Sequence, residues 1–146
     1  MKKDVLISIK GTVVSEGGVP DIIELITAGR YSNRDGIYYI SYKESEATGF
    51  DGVTTTLKVE GDSCVTLTRS GPSSSRLILE KGRRHLCHYE TSYGQLMVGV
   101  SGCRINTRLD DGGGELTFNY ALDINSSLVS QNEVYISVRE AHKTVC

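Results

Sequence analysis

The run Glu115-Leu116-Thr117-Phe118-Asn119-Tyr120-Ala121-Leu122-Asp123 alternates along its length. Leu116, Phe118, Tyr120 and Leu122 take every second position, and Glu115, Thr117, Asn119 and Asp123 stand between them. A period of two sets one face on a core and the other in water, which is the signature of a β-strand. The same period recurs elsewhere. Val5, Ile7, Ile9 and Val13 alternate with Lys10 and Thr12; Thr55, Leu57 and Val59 with Thr54, Thr56, Lys58 and Glu60; Val134, Ile136 and Val138 with Glu133, Ser137 and Arg139.

Turn signals separate these runs: Glu16-Gly17-Gly18, Asn33-Arg34-Asp35-Gly36, Asp51-Gly52, Glu60-Gly61-Asp62, Ser70-Gly71-Pro72 and Asp111-Gly112-Gly113-Gly114. Gly and Asn tolerate the positive φ that tight hairpins require. Helical periodicity is poor throughout. Pro20-Asp21 could open a helical turn, but Ile22-Ile23-Glu24-Leu25-Ile26 reads better as a strand. The pattern gives about ten short strands at spacings of roughly 8–12 residues, as in a sandwich or barrel. Connections short enough for hairpins favour an up-and-down barrel, because a Greek-key sandwich needs some longer crossings. Closing the sheet also removes its exposed edges. The expected fold is therefore all-β: a single antiparallel up-and-down β-barrel of about 8–10 strands. Nothing divides the chain, so residues 1–146 are expected to form one domain.

Composition bounds the function. A chain of 146 residues has the usual size of one domain. Lys and Arg total 16 and Asp and Glu 18, for a net charge of -2. That balance argues against a nucleic-acid binder, which normally carries a basic excess. With 2 Pro and 23% charged residues the chain does not read as disordered. The 8 Tyr against 2 Phe and no Trp make tyrosine the main aromatic available to a core or a site.

Met1-Lys2-Lys3-Asp4-Val5-Leu6-Ile7-Ser8-Ile9-Lys10 lacks the unbroken apolar stretch of a secretory signal. No segment approaches the roughly 18 apolar residues of a spanning helix. The expectation is a soluble, cytoplasmic protein without a membrane partner. Cys64, Cys87, Cys103 and Cys146 form no Cys-x-x-Cys pair and are expected as free thiols. Asn125-Ser126-Ser127 matches a glycosylation acceptor, a match without meaning in an unsecreted chain.

Polar residues on apolar faces are the informative ones. One face of the segment 37–46 carries Tyr38, Ile40, Tyr42, Glu44 and Glu46; one face of 64–71 carries Val65, Leu67 and Arg69. If these faces point inward, Glu44 and Arg69 are charges inside the barrel or at its mouth. A buried carboxylate is costly unless paired, and arginine offers a bidentate partner. Three readings stay open: an internal Glu–Arg bridge that fixes the barrel, a site for an anionic or polar ligand head, or a twist that turns one of the pair outward. His85, Cys87, Tyr89, Thr91 and Tyr93 share another face, where hydroxyls over apolar rings can line a cavity. Packing in the core or wall is the commoner use of such residues.

Other chemistry is weakly signalled. His85, Cys87 and His88 are close, but His88 faces away from the other two on a strand, and zinc wants four tetrahedral ligands. His85, His88 and His142 come with no nucleophile elbow. Gly112-Gly113-Gly114 lacks the Gly-Lys-Ser/Thr ending of a phosphate loop and reads as a hairpin. Arg83-Arg84-His85 reads as a solvated turn. No metal, cofactor or catalytic residue is expected.

The order of several motifs carries a resemblance. They are Thr27-Ala28-Gly29-Arg30-Tyr31, then Tyr39-Ile40-Ser41-Tyr42-Lys43-Glu44-Ser45-Glu46 with Gly49, then Thr68-Arg69-Ser70-Gly71, Tyr89-Glu90-Thr91-Ser92-Tyr93-Gly94 and Leu116-Thr117-Phe118-Asn119-Tyr120. In this order the chain resembles the YwiB-like family of small bacterial proteins over roughly residues 4–140. The resemblance implies a calycin-like barrel, akin to lipocalins and fatty-acid-binding proteins, and supplies no catalytic residues. It marks Tyr42, Glu44, Arg69, Thr91, Tyr93 and Gly94 as site or barrel-closing positions. Cys103 stands where the family pattern has a small polar residue such as Thr. Calycin relatives bind small apolar ligands, which extends to this chain only by analogy of fold.

Three functions follow as expectations. The first is non-catalytic binding of a small, partly apolar or anionic ligand in the barrel by Tyr42, Glu44, Arg69, Tyr89, Thr91 and Tyr93. The second is a structural or protein-interaction module with a filled barrel, as a homodimer. The third is an enzyme using Glu44 as acid or base beside Arg69; a carboxylate next to arginine is a poor acid at neutral pH.

Overall fold

The computed structural model describes residues 2–15, 18–44, 52–71, 74–91 and 94–140, without the side chains of Lys2, Glu90, Thr91 and Cys103. Of the positions raised by the sequence, Glu16, Gly17, Ser45, Glu46, Gly49, Asp51, Pro72, Ser92, Tyr93, His142, Cys146 and the side chains of Glu90, Thr91 and Cys103 are among those outside the described residues.

Ten strands follow one another: β1 (Lys2–Ser15), β2 (Asp21–Arg34), β3 (Ile37–Lys43), β4 (Thr54–Glu60), β5 (Cys64–Ser70), β6 (Ser75–Glu80), β7 (Arg84–Thr91), β8 (Gly94–Asp110), β9 (Gly113–Ile124) and β10 (Ser127–Glu140). Each pairs antiparallel with the next, and β1 pairs with β10 to close the barrel. The alternating run from Glu115 to Asp123 is β9, with Leu116, Phe118 and Tyr120 buried. Ile22 to Ile26 are strand, as their β-branched composition suggested. No described helix is long and apolar enough to cross a membrane.

One expectation needs correcting. The strands are not uniformly short: β1, β2 and β10 have 14 residues each and β8 has 17. The hydrophobic alternation along them is interrupted by glycines that stay in the ladder. Gly29 is the clearest case. A Cβ there would collide with the Ile7 methyl and the Ser41 carbonyl oxygen and press on Tyr42 Cβ at 3.3 Å. Close approach of three strands, rather than a turn, requires glycine at this point. Gly102 begins a β-bulge in β8, where the register with β9 skips from Gly102 to Arg104.

The hairpins obey local rules. Asp35 and Gly36, at φ 53° and 84°, make the β2–β3 turn, and Asn125 and Ser126, at 52° and 70°, make the β9–β10 turn. Positive φ at both central positions suits the right-handed twist of the flanking strands. The Gly112-Gly113-Gly114 run joins β8 to β9, as a hairpin should.

Inward residues fill the middle of the barrel. Ile40, Leu57, Leu67 and Leu77 are cross-strand neighbours in one row, and all are buried. Phe118, Leu116, Ile136, Val138 and Ile7 cover the opposite wall. Each such side chain contributes about 2 kcal/mol by leaving water.

One end of the barrel is closed by hydrogen bonds across it. The Thr107 amide donates to Asp62 Oδ1 (2.7 Å) and its hydroxyl to the Gly61 carbonyl (2.8 Å), docking the β4–β5 turn on β8. The Tyr31 hydroxyl donates to the Asp110 carbonyl (2.6 Å), and its ring stacks on Tyr38. Burial pushes the Tyr31 phenol well above its usual range.

Outside, Arg84 forms a two-pronged pair with Asp123, at 2.9 and 2.6 Å, passing over Gly99. Asp123 Oδ1 also accepts the Ser126 amide and so braces the β9–β10 turn. The Arg84 guanidinium holds the Asp123 carboxyl below its usual range, with burial opposing and the Ser126 amide assisting. Because the folded value is depressed, this pair stabilises the fold above the unfolded pKa of about 3.9 and ceases to do so as pH falls through the folded value. Asp123→Asn is therefore expected to be less stable than wild type at neutral pH, with the gap narrowing in acid. Chemical denaturation of both proteins across pH checks this; a gap that is constant with pH would contradict it.

Candidate functional site

The other end of the barrel is different. Tyr42 on β3 faces Thr55 on β4, Thr55 faces Arg69 on β5, Arg69 faces Ser75 on β6, and Ser75 faces Tyr89 on β7. Five polar side chains on successive strands thus form a hoop one row beyond Ile40, Leu57, Leu67 and Leu77. The sequence produces the hoop simply. Each is two residues along its strand from an apolar core position, and a period of two returns it to the interior.

Glu44 caps the hoop. Just past the end of β3, its amide donates to the Val53 carbonyl at 2.8 Å, which holds the chain in line with β4. The carboxylate turns inward, only 3% exposed, and Oε2 lies 3.8 Å from Arg69 Nε. Thr55, fully buried, donates its hydroxyl to the same oxygen. The charges therefore enter the interior as a pair, and a hydroxyl satisfies part of what water would have supplied.

Two phenols border this pair. The Tyr42 phenol is driven far up from its usual range, first by burial and next by the Glu44 charge, with Arg69 pulling the other way. Burial also raises the Tyr120 phenol, again opposed by Arg69, with Tyr89 nearby. Tyr120 stacks on Phe118 at a ring separation of 6.0 Å. Both phenols stay neutral at physiological pH and can donate or accept hydrogen bonds.

Between hoop and core lies a cavity of about 120 Å³. Tyr42, Glu44, Arg69, Asn132 and Glu133 are among its polar lining residues, and Leu57, Leu67 and Phe118 among its apolar ones. Among the described residues the barrel seam with the fewest register pairs lies beside Arg69. There β6 and β7 share a single register pair, Ser75 with Tyr89, whereas β5 and β6 share six. A groove outside this seam is lined by Arg69, Ser75 and Cys87, so Arg69 borders both the interior cavity and the outer groove.

Of the six residues singled out by sequence, the structure brings Tyr42, Glu44, Arg69 and Tyr89 to one end of the barrel. Thr91 belongs to β7, but its side chain, like all of Tyr93, is outside the described residues. Sequence reasoning missed Thr55 and Tyr120. A threonine at a buried position of a period-two run was the available signal for the first; the second was hidden among apolar neighbours.

The His85, Cys87 and His88 cluster disperses. His85 Nε2 lies 3.0 Å from Glu80 Oε1, Cys87 is buried and accepts the Ile78 amide, and His88 is exposed on the outer face. Among the described residues no group of three or more His, Cys, Asp or Glu could hold a metal ion.

Comparison with known proteins agrees with the fold. The curated "Uncharacterized beta-barrel protein YwiB" of Bacillus subtilis (strain 168) is 29% identical over 114 residues, covering 77% of this chain and 78% of that protein. The crystal structure of the ywiB protein from Bacillus subtilis superposes with a TM-score of 0.80 at 22% identity, covering 97% of this chain and 94% of the other. At that identity the likeness establishes the barrel alone. A family model described as "Domain of unknown function (DUF1934)" matches residues 7–136. The chain belongs to this family of β-barrel proteins.

Proposed function

We propose that the protein binds a small, partly apolar ligand at the mouth of the barrel, without catalysis. The observation that carries the reading is the Tyr42–Thr55–Arg69 hoop with Glu44, set over an apolar floor around a cavity of about 120 Å³. A polar head would meet the Arg69 guanidinium, with Tyr42 and Tyr120 along the wall. A short apolar body would rest on Leu57, Leu67 and Phe118.

Size limits the ligand. The cavity equals the volume of about four waters, well below the roughly 300 Å³ at which drug-sized sites begin. A long acyl chain would have to displace core leucines, so the reading favours a ligand of a few heavy atoms. A resemblance to calycin barrels supports ligand binding only by analogy of fold, and not a calycin-sized cargo.

Native mass spectrometry of the protein purified from its own cells should show an adduct that Arg69→Met loses and Arg108→Ala keeps. Identical spectra for wild type and Arg69→Met would remove the basis for the reading.

A second reading, an interaction module working as a homodimer, draws on one observation. Ile22 and Ile26 are 59% and 71% exposed on the outer face of β2. Light scattering that shows only monomer would count against it.

A further inference from the structure

The outer wall over β2, β3 and β4 carries a different chemistry. Outward positions read Arg30, Ser32 and Arg34 on β2, Tyr39 and Ser41 on β3, and Thr56 on β4. These six line one groove of about 260 Å³. In the ladder Arg30 faces Ser41 and Ser41 faces Thr56, while Ser32 faces Tyr39. Hydroxyls thus pave the floor, and an arginine stands at each end.

The arginines are placed to converge. Four residues apart on one strand, their Cα atoms are about 13 Å apart and their side chains share a face. Each guanidinium can reach inward over Ser32, which lies between them. Both residues are exposed, and among the described residues neither forms an ion pair. Asp4 stands opposite Arg30 in the β1–β2 ladder without forming one. Ser32 is 6% exposed, and its hydroxyl borders the groove rather than a protein partner.

The surroundings add charge of the same sign. The row continues from Thr56 to Thr68 on β5 and to Arg76 on β6, while Lys58 on the same outer face is paired with Glu60 at 3.7 Å.

We propose that this groove binds a phosphate monoester on a small soluble molecule. Arginine forks match the oxygens of a phosphoryl group two at a time, and serine, threonine and tyrosine hydroxyls can donate to those remaining. The groove is a recess between side chains rather than a flat apolar face, which suits a compact anion better than a lipid surface. The site is on the opposite side of the wall from the barrel mouth and stands or falls separately from the ligand reading above.

Amide NMR titration with inorganic phosphate and with glycerol 3-phosphate tests the proposal, at constant ionic strength set by sodium chloride. Saturable shifts are expected at Ser32, Ser41 and Thr56. The double variant Arg30→Ala/Arg34→Ala should raise the dissociation constant about tenfold or more, as expected for losing two charge-assisted contacts. Arg108→Ala, on another strand, should leave it unchanged. If the double alanine variant does not fold, Arg30→Lys/Arg34→Lys keeps the charge and removes the forks, and should still weaken binding severalfold. Shifts that do not saturate, a double variant that binds like wild type, or an equal loss in Arg108→Ala would overturn the site. Binding to phosphatidylcholine–phosphatidate vesicles without binding to glycerol 3-phosphate would overturn the choice of a soluble ligand.

Discussion

Gly29→Val is expected to be strongly destabilising. The β-carbon alone meets the Ile7 methyl and the Ser41 carbonyl oxygen, and the backbone atom has nowhere to move because Ser41 is held in the β2–β3 ladder. Valine adds two further methyls beside Tyr42. Overpacking of a well-filled core costs about 1–3 kcal/mol, and a collision with main chain belongs at or above the upper end. Most single domains have only about 5–15 kcal/mol to lose. Urea denaturation should place Gly29→Val well below wild type, with Gly29→Ala between them. Gly11, where an added Cβ meets nothing within 4 Å, is the control: Gly11→Ala should change stability little. Equal stability of Gly29→Val and wild type would mean that the β1–β2–β3 approach is wrongly drawn.

The second large effect concerns the buried pair. Arg69→Met removes the cation and leaves the Glu44 carboxylate, 3% exposed, with only the neutral hydroxyls of Thr55 and Tyr42 as close partners among the described residues. Removing one member of a buried pair costs about 3–5 kcal/mol, because the other charge stays desolvated. The side chain of Arg69 is 16% exposed, so a value near the lower end is expected. Glu44→Leu/Arg69→Met replaces both members by apolar groups of similar bulk and should recover most of the loss. A double-mutant cycle by urea denaturation reads the coupling directly. Should Arg69→Met prove as stable as wild type, the pair would lack the energetic role its geometry suggests. If the double variant is stable yet loses the native adduct, structure and binding are separated at one stroke.

Much of the fold was legible because period two is a blunt physical signal. Leu116, Phe118 and Tyr120 had to share a face, and so did Ile40, Tyr42 and Glu44. Hairpins at Asp35-Gly36 and Gly61-Asp62 were readable because glycine marks positive φ. The turn at Asn125-Ser126 was less visible, since no glycine announces it and its positive φ rests on Asn and Ser. Strand length was read too short for a related reason. Gly29 and Gly102 look like interruptions, but they are sites of close approach within continuous ladders.

The candidate site was legible in part. Glu44 and Arg69 stood out because charges on apolar faces demand partners, and each supplied the other's. Thr55 did not stand out, since threonine is an ordinary strand residue and its role depends on which carboxylate lies beside it. That the hoop is continuous is a matter of register. Register follows from loop lengths and bulges around the whole barrel, which no single segment encodes. The free volume was equally hidden: about 120 Å³ is a small remainder after many side chains have packed.

Electron density at the barrel mouth is the most direct test of the ligand reading. A high-resolution crystal structure of the protein purified from its own cells should show a compact non-protein molecule over Leu57 and Phe118, its polar end on Arg69. A mouth holding only water, or filled by Tyr42 and Arg69 themselves, would contradict it.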